Sequence, residues 1–332
     1  MIGRTARLPI KVKGRSDKVK ILSHPSVKME FGSGVLMVCS YGDQNDVSVF
    51  RELKLEPFQA IDLEGRMTGI ADQLEGMLVA EARSAAIEML SSDGRLEGLE
   101  EREQEIPVSE RGENPIEIIL LKEWYVKQVG IQERLEQLTH EIRFIPERNK
   151  QLLLDWMENI SIDWPISRRR WYHTEIPIWY TDDDKVLIVP PKGGYVRPWC
   201  EDPPEGSFAI DRETREILGS IEELGYTKFS GEEKVFDTWM DSSNSNLFVS
   251  GYGKNDVNFA RAYPTALRPQ GKEIVRTWLY YTLLKSAHLL DQPGFKSVWI
   301  DGLGMDPWGR KMSKSWGLSL IHISEPTRQA TI

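Results

Sequence analysis

The stretch that most constrains the fold is GKEIVRTWLYYTLLKSAHLL, residues 271–290, followed by FKSVWIDG at 295–302. The first is apolar around most of its circumference, as a helix packed on a sheet must be. The second is a short apolar run ending in glycine, and it reads as a buried strand that opens into a loop. Strand, helix, strand and glycine-rich loop, in that order, are the grammar of a parallel α/β domain.

Length allows more than one such domain. The chain has 332 residues, 40% of them hydrophobic and 28% charged, which places it among globular chains rather than disordered ones. Its apolar runs are shorter than the roughly 20 residues of a membrane helix. The opening MIGRTARLPIKVKGRS is basic but lacks the apolar core and small-residue cleavage site of a secretory signal. The two cysteines, Cys39 and Cys200, exclude a disulfide scaffold and fit a reducing cytoplasm. A net charge of −9 gives nucleic acid no overall attraction, so contact with RNA falls to local basic patches. Candidates are residues 3–20 and Arg168, Arg169 and Arg170, although basic tracts of this kind are usually solvated surface.

Along the chain, RTARLPIKV, KVKILS and SGVLMVCSYG read as short strands, and ADQLEGMLVAEARSAAIEML as a helix. The charged, proline-terminated segment 91–115 reads as a connection. IEIILL at 116–121 reads as a buried strand, IQERLEQLTHEIRF and NKQLLLDWMENI as helices, and residues 181–232 as a small glycine- and proline-punctuated insertion.

The sharpest motif is Lys311-Met312-Ser313-Lys314-Ser315. Two lysines three apart on a loop can wrap a polyphosphate and neutralise charge that develops on departing pyrophosphate. Gly302, Gly304 and Gly309 supply backbone freedom beside it. The plainer reading is a solvated basic loop.

With this string, VFDTWMDSSNS, YPTALRPQGKEIVRTWLYYTLLKS, DWPISRRRWYHTEIPIWY and FGSGVLMVCSYGDQNDV, the chain resembles the class I aminoacyl-tRNA synthetases, and among them the archaeal type of valyl-tRNA synthetase. The resemblance runs over nearly all of residues 1–317. It implies an α/β fold: the C-terminal half of a Rossmann-like catalytic domain, with an inserted, truncated, mixed α/β editing domain. The implied divisions are an editing domain at 1–112, a catalytic segment at 113–180, a degenerate zinc-knuckle region at 181–232, and the second catalytic half with the KMSKS loop at 233–317. It implies valine, tRNA(Val) and ATP with Mg2+ as partners, a monomer, and no membrane.

The resemblance also assigns roles. Lys311 and Lys314 become the catalytic lysines, Lys314 foremost, and a lost contact of this kind costs roughly a hundred- to a thousandfold in rate. Gly271, Glu273 and the loop residues Lys311, Met312, Ser313, Lys314 and Ser315 become the ATP site. Without it, Glu273 is an ordinary acid at a helix start. Trp239 and Trp278 become walls of the amino-acid pocket, their plainer reading being core tryptophan. Arg169 and His173 depart from the family pattern, which expects glutamine and a small residue there. Threonine is nearly isosteric with valine, so an apolar slot rejects it poorly and a second, hydrolytic site is the remedy. The resemblance gives that editing role to Asp46 and Asp43, with Gly32 and Gly34 letting backbone approach; the plainer reading of YGDQND is a polar hairpin loop. Cys200 alone cannot build a zinc site, so no metal is expected there.

Two further expectations concern extent. No two histidines form an H-x-G-H-like pair, so the chain alone is expected to be inactive in synthesis. LSLIHISEPTR, from Leu318 to Arg328, reads codon for codon like a transposase adapter used in DNA sequencing, so 318–332 is expected to be non-native. The competing readings are an isoleucyl-tRNA synthetase, a free-standing deacylase and a tRNA-binding fragment.

Overall fold

The computed structural model describes residues 2–28, 34–39, 43–101, 103, 105–109, 112, 114–302, 304–305 and 309. The chain divides into two units, Met1–Lys122 and Glu123–Ile332.

In the first unit, β1 (Thr5–Arg7) pairs antiparallel with β2 (Lys18–Lys20), with Ala6 opposite Val19. The helix α1 (Gln44–Glu52) starts at Asp43, whose side chain accepts the Asp46 N–H at 2.8 Å. The expected helix over 71–90 is split. A 3-10 turn over Gly69–Leu74 ends before Gly76, whose φ of 78° stops helical propagation, and α2 (Val79–Ser92) begins afterwards. Glu81 steadies that start by accepting the Leu78 N–H at 3.0 Å. Among the described residues, two expected strands do not form. Residues 34–39 and 116–121 lack regular structure, with Val35, Leu36, Met37, Ile116 and Leu120 exposed. An apolar run becomes a strand only when a neighbour takes its backbone groups, and β1–β2 is the one sheet among the described residues of this unit.

The second unit begins with β3 (Tyr125–Val126), α3 (Gln132–His140), β4 (Arg143–Ile145) and α4 (Lys150–Glu158). Short strands β5 (Trp164–Pro165) and β6 (Ser167–Arg168) follow, β5 pairing with β3. Residues 179–231 then form an antiparallel sheet from β7 (Trp179–Tyr180), β8 (Val186–Val189), β9 (Phe208–Asp211), β10 (Ile217–Ser220) and, after the short helix α5 (Ile221–Leu224), β11 (Ser230–Gly231). Its strands run in the order β10-β9-β8-β7-β11 around Trp179, Ile188 and Ala209. β12 (Val235–Phe236) returns to pair with β6.

Three helices, α6 (Thr238–Ser242), α7 (Ser245–Ser250) and α8 (Asp256–Ala262), lead to β13 (Arg268–Gly271). α9 (Tyr280–Leu290) then crosses to β14 (Ser297–Asp301). The strands β13, β14 and β4 lie side by side in that order, all parallel. The expected strand–helix–strand pattern is therefore present. The apolar circumference of α9 explains it, since Tyr280, Leu283 and Leu284 are fully buried against Val298, Ile300 and Phe144 of the sheet side of the core. Each such side chain contributes roughly 1.5–3 kcal/mol on burial.

The helix is not continuous over 272–290 as its pattern suggests. Lys272–Ile274 is a 3-10 turn and Val275–Leu279 a π turn before α9 begins. A π turn carries an extra residue and shifts the side chains around it off the α-helical stripe, a device common where a helix serves a site.

Candidate active site

In an open parallel sheet, ligands collect at the carboxyl ends of the strands. β13 ends at Gly271 and β14 at Asp301, and these two residues are partners in the parallel register. Two of the sequence-predicted nucleotide elements thus leave the sheet side by side: residues 271–273 from β13, and the segment that opens with Gly302 from β14. Lys311, Met312, Ser313, Lys314 and Ser315 continue that second segment and lie outside the described residues, as does the tail 318–332.

Gly271 and Glu273 are brought together closely. A Cβ built on Gly271 would stand 2.3 Å from Glu273 Oε2 and 2.8 Å from its Cδ. The Glu273 carboxylate therefore occupies the space a side chain at 271 would need, folded back against the strand end. Gly271 has φ of −76°, so space rather than backbone conformation demands glycine here. The Glu273 side chain remains exposed, so its acceptor oxygens are available to hydroxyl donors.

Trp239 and Trp278 meet through one helix. Trp239 lies on α6 and packs half-buried against the core. Trp278 lies in the π turn and donates its indole N–H to Ser242 O, the last residue of α6, at 2.9 Å. At the other end of α6, Asp237 Oδ1 accepts the Trp239 N–H at 2.7 Å, while its Oδ2 pairs with the Arg168 guanidinium. Arg168 also donates to Pro165 O and Ser167 O, so it braces the site instead of serving as a basic patch, whereas Arg169 and Arg170 are exposed. The ring of Tyr281, one turn beyond, stacks on Trp164 at 3.7 Å and 8°. Burial pushes its phenol up to about 12, with the Asp237 charge adding to the shift.

His173, the departure from the family pattern, sits against α6: its Nδ1 is 3.1 Å from Asp241 Oδ2, to which Thr174 also donates at 2.7 Å.

Sequence reasoning missed two buried cations beside these tryptophans. Arg268, on β13, places its guanidinium carbon 3.0 Å from the centroid of a Trp278 ring and 4.6 Å from that of Phe295. Lys285, on α9, donates to Met240 O and to Asn244 Oδ1, the latter at 2.9 Å. Burial lowers Arg268 to about 9, and lowers Lys285 to about 8 against the opposing pull of Asp241. Lys285 had a legible signal, as a lone charge in an otherwise apolar helix. Arg268 had none, because LRPQG is too short to show which face is buried.

In the first unit, Asp46 Oδ2 accepts the Cys39 N–H at 3.1 Å, and Asp43 is the cap of α1. Residues 43–46 therefore start a helix, where the plainer reading of YGDQND was a hairpin loop. Gly34 has φ of 69°, and Gly32 lies outside the described residues. Among the described residues, no group of three or more His, Cys, Asp or Glu is arranged to hold a metal ion, and no helix is long and apolar enough to cross a membrane.

A family model described as tRNA synthetases class I (I, L, M and V) matches residues 37–322, running past residue 317. A valine–tRNA ligase of Aeropyrum pernix is 40% identical over 317 residues, covering 96% of this chain and 37% of its own length. That of Nanoarchaeum equitans is 42% identical over 305 residues, covering 90% of this chain and 38% of its own. That of Pyrobaculum aerophilum is 38% identical over 316 residues, covering 94% and 37%. The chain thus spans less than two-fifths of the length of these relatives.

Proposed function

Because the chain belongs to the class I tRNA synthetases of the I, L, M and V group, we propose that the full-length protein carrying it joins valine to tRNA(Val) using ATP. The observation that carries this reading is the paired end of two adjacent parallel strands, with Gly271 opposite Asp301, from which residues 271–273 and Gly302 lead out. The choice of valine rests on the name its relatives share, valine–tRNA ligase.

ATP lies across the ends of β13 and β14. Glu273 accepts hydrogen bonds from the ribose hydroxyls, and the bare backbone at Gly271 lets the nucleoside approach. The valine side chain sits between Trp239 and Trp278, whose rigid rings make a small apolar slot. Its carboxylate attacks the α-phosphorus, forming valyl-adenylate and releasing pyrophosphate, whose growing charge Lys311 and Lys314 neutralise. A terminal hydroxyl of the tRNA then attacks the activated carbonyl and displaces AMP. Mg2+ arrives with ATP, held by phosphate oxygens and water as it usually is.

The first unit hydrolyses threonyl-tRNA, with Asp46 holding the α-amino group, and Asp43 keeps the start of α1 in place. The 332-residue chain by itself forms no adenylate, and the full-length protein works as a monomer in the cytoplasm.

Amino-acid-dependent ATP–pyrophosphate exchange by the full-length protein tests the reading. Valine is expected to drive exchange and isoleucine to drive it poorly. Exchange driven better by isoleucine, or by neither, overturns it.

A further inference from the structure

Of the two residues taken as walls of the amino-acid pocket, Trp278 lies against one buried cation, Arg268, and the helix that carries Trp239 is held by another, Lys285. Arg268 is 5% exposed and Lys285 6%. Among the described residues, neither has a carboxylate within ion-pair reach. Arg268 also leaves Nε and Nη2 buried without a hydrogen-bond partner. Keeping a charge out of water in this way is costly, and an apolar residue of similar volume would pack there more cheaply. Something else must account for cations at these positions.

Their contacts supply the reason. α6 has only five residues, too few to hold itself together, and its last carbonyls have no partners within the helix. Lys285 reaches across from α9 to Met240 O and to Asn244 Oδ1, while Trp278 takes Ser242 O. Asn244 Nδ2 donates to Met240 O as well, at 3.2 Å, so the lysine and asparagine close over the same carbonyl. Trp239 rides on this helix. Trp278 is fixed in a second direction: its edge is tied to Ser242, and its face lies on the Arg268 guanidinium at 3.0 Å, in cation–π contact. A lysine amine is a point donor suited to converging acceptors, and a planar guanidinium is suited to a ring face. Each cation matches its task.

We propose that Arg268 and Lys285 are positioning residues that hold Trp278 and the Trp239 helix at the spacing of the amino-acid slot, so that binding and discrimination of valine depend on them while ATP binding does not. The inference rests on the reading of Trp239 and Trp278 as the pocket walls.

The test uses the full-length protein and measures KM for valine and for ATP separately in pyrophosphate exchange, with isoleucine as competitor. Lys285→Met and Arg268→Lys are each expected to raise the valine KM about tenfold, to leave the ATP KM within about twofold, and to narrow the valine-over-isoleucine preference; Lys285→Arg is expected to recover most of the loss. If Lys285→Met is not recovered folded, Asn244→Ala decides in its place, with a selective rise in valine KM of about threefold expected. Unchanged valine KM in these variants, or valine and ATP KM rising together, overturns the proposal. Absence of valine-dependent exchange in the unsubstituted protein is a different failure, that of the functional reading itself.

Discussion

Gly271→Ala isolates the nucleotide role of Glu273. The added Cβ would stand 2.3 Å from Glu273 Oε2 and 2.8 Å from Oε1, well inside van der Waals contact. The backbone at 271, with φ of −76° and ψ of 154°, is one that alanine adopts without strain. The obstructing atoms are the far end of an exposed, flexible side chain, so the carboxylate swings aside at little cost. Stability is expected to change by no more than about 0.5 kcal/mol, as for other surface substitutions. The displaced carboxylate no longer meets the ribose hydroxyls, however. A hydrogen bond to a charged group is worth about 1.5–3 kcal/mol, which corresponds to roughly a ten- to hundredfold loss in kcat/KM for ATP. Pyrophosphate exchange at varied ATP and saturating valine, beside a thermal melt, reads both quantities. An ATP dependence equal to that of the unsubstituted protein would refute the reasoning. So would a melting temperature lowered by many degrees, which would mean that the glycine serves the fold.

Two further outcomes follow from other parts of the chain. Glu232 is buried and accepts from Trp124 Nε1 at 2.7 Å, Tyr180 OH at 2.5 Å and Lys234 N at 3.0 Å. Burial pushes its carboxyl up, but these hydrogen bonds and the Lys234 charge outweigh burial and hold it below its ordinary value. A carboxyl lowered by folding contributes stability above its unfolded pKa and loses it as pH falls through the folded one. Glu232→Gln is thus expected to cost about 1.5–3 kcal/mol at pH 7 and to flatten the acid side of the profile, below about pH 4.3. Denaturation midpoints from pH 7 to 3 check this, and parallel profiles for the two proteins would sink it. In the first unit, Asp43→Ala is expected to cost α1 about 1 kcal/mol through its lost cap, while Asp46→Ala abolishes deacylation of threonyl-tRNA. Deacylation assays with hydrogen exchange across residues 44–52 separate the two, and equal deacylation by Asp46→Ala and the unsubstituted protein would end the editing assignment.

The βαβ unit was legible because its signal is strong on both counts: a helix apolar all round, and an apolar strand closing on glycine. VLMV and IEIILL carry the same apolar signal, yet they are irregular and partly exposed. Pattern reports what a segment could pair with, whereas a strand needs a partner in place, and no neighbouring residue reveals one. The π turn at 275–279 was hidden because an extra residue in a turn leaves the composition of a helix unchanged. For the site, Gly271 and Glu273 were paired through the resemblance, but their crowding was not legible, since it depends on how the strand end folds back. Trp239 and Trp278 were likewise found through the resemblance alone. The links through Ser242 and Lys285 join residues 36 to 45 positions apart in sequence, and no local pattern reports contacts at that range; Arg268 stands ten residues before Trp278, but on a strand whose buried face the sequence does not mark.

The most direct test of the central claim, that the nucleotide binds at the ends of β13 and β14, is affinity labelling. Periodate-oxidised ATP carries aldehydes at the ribose, which form imines with nearby lysine amines and can be trapped by borohydride reduction. The full-length protein would be labelled with and without excess ATP, and the modified lysines located by peptide mass spectrometry. ATP-competed labelling is expected at Lys272, Lys311 or Lys314. ATP-competed labelling confined to lysines of residues 1–122, with none at those three, would contradict it.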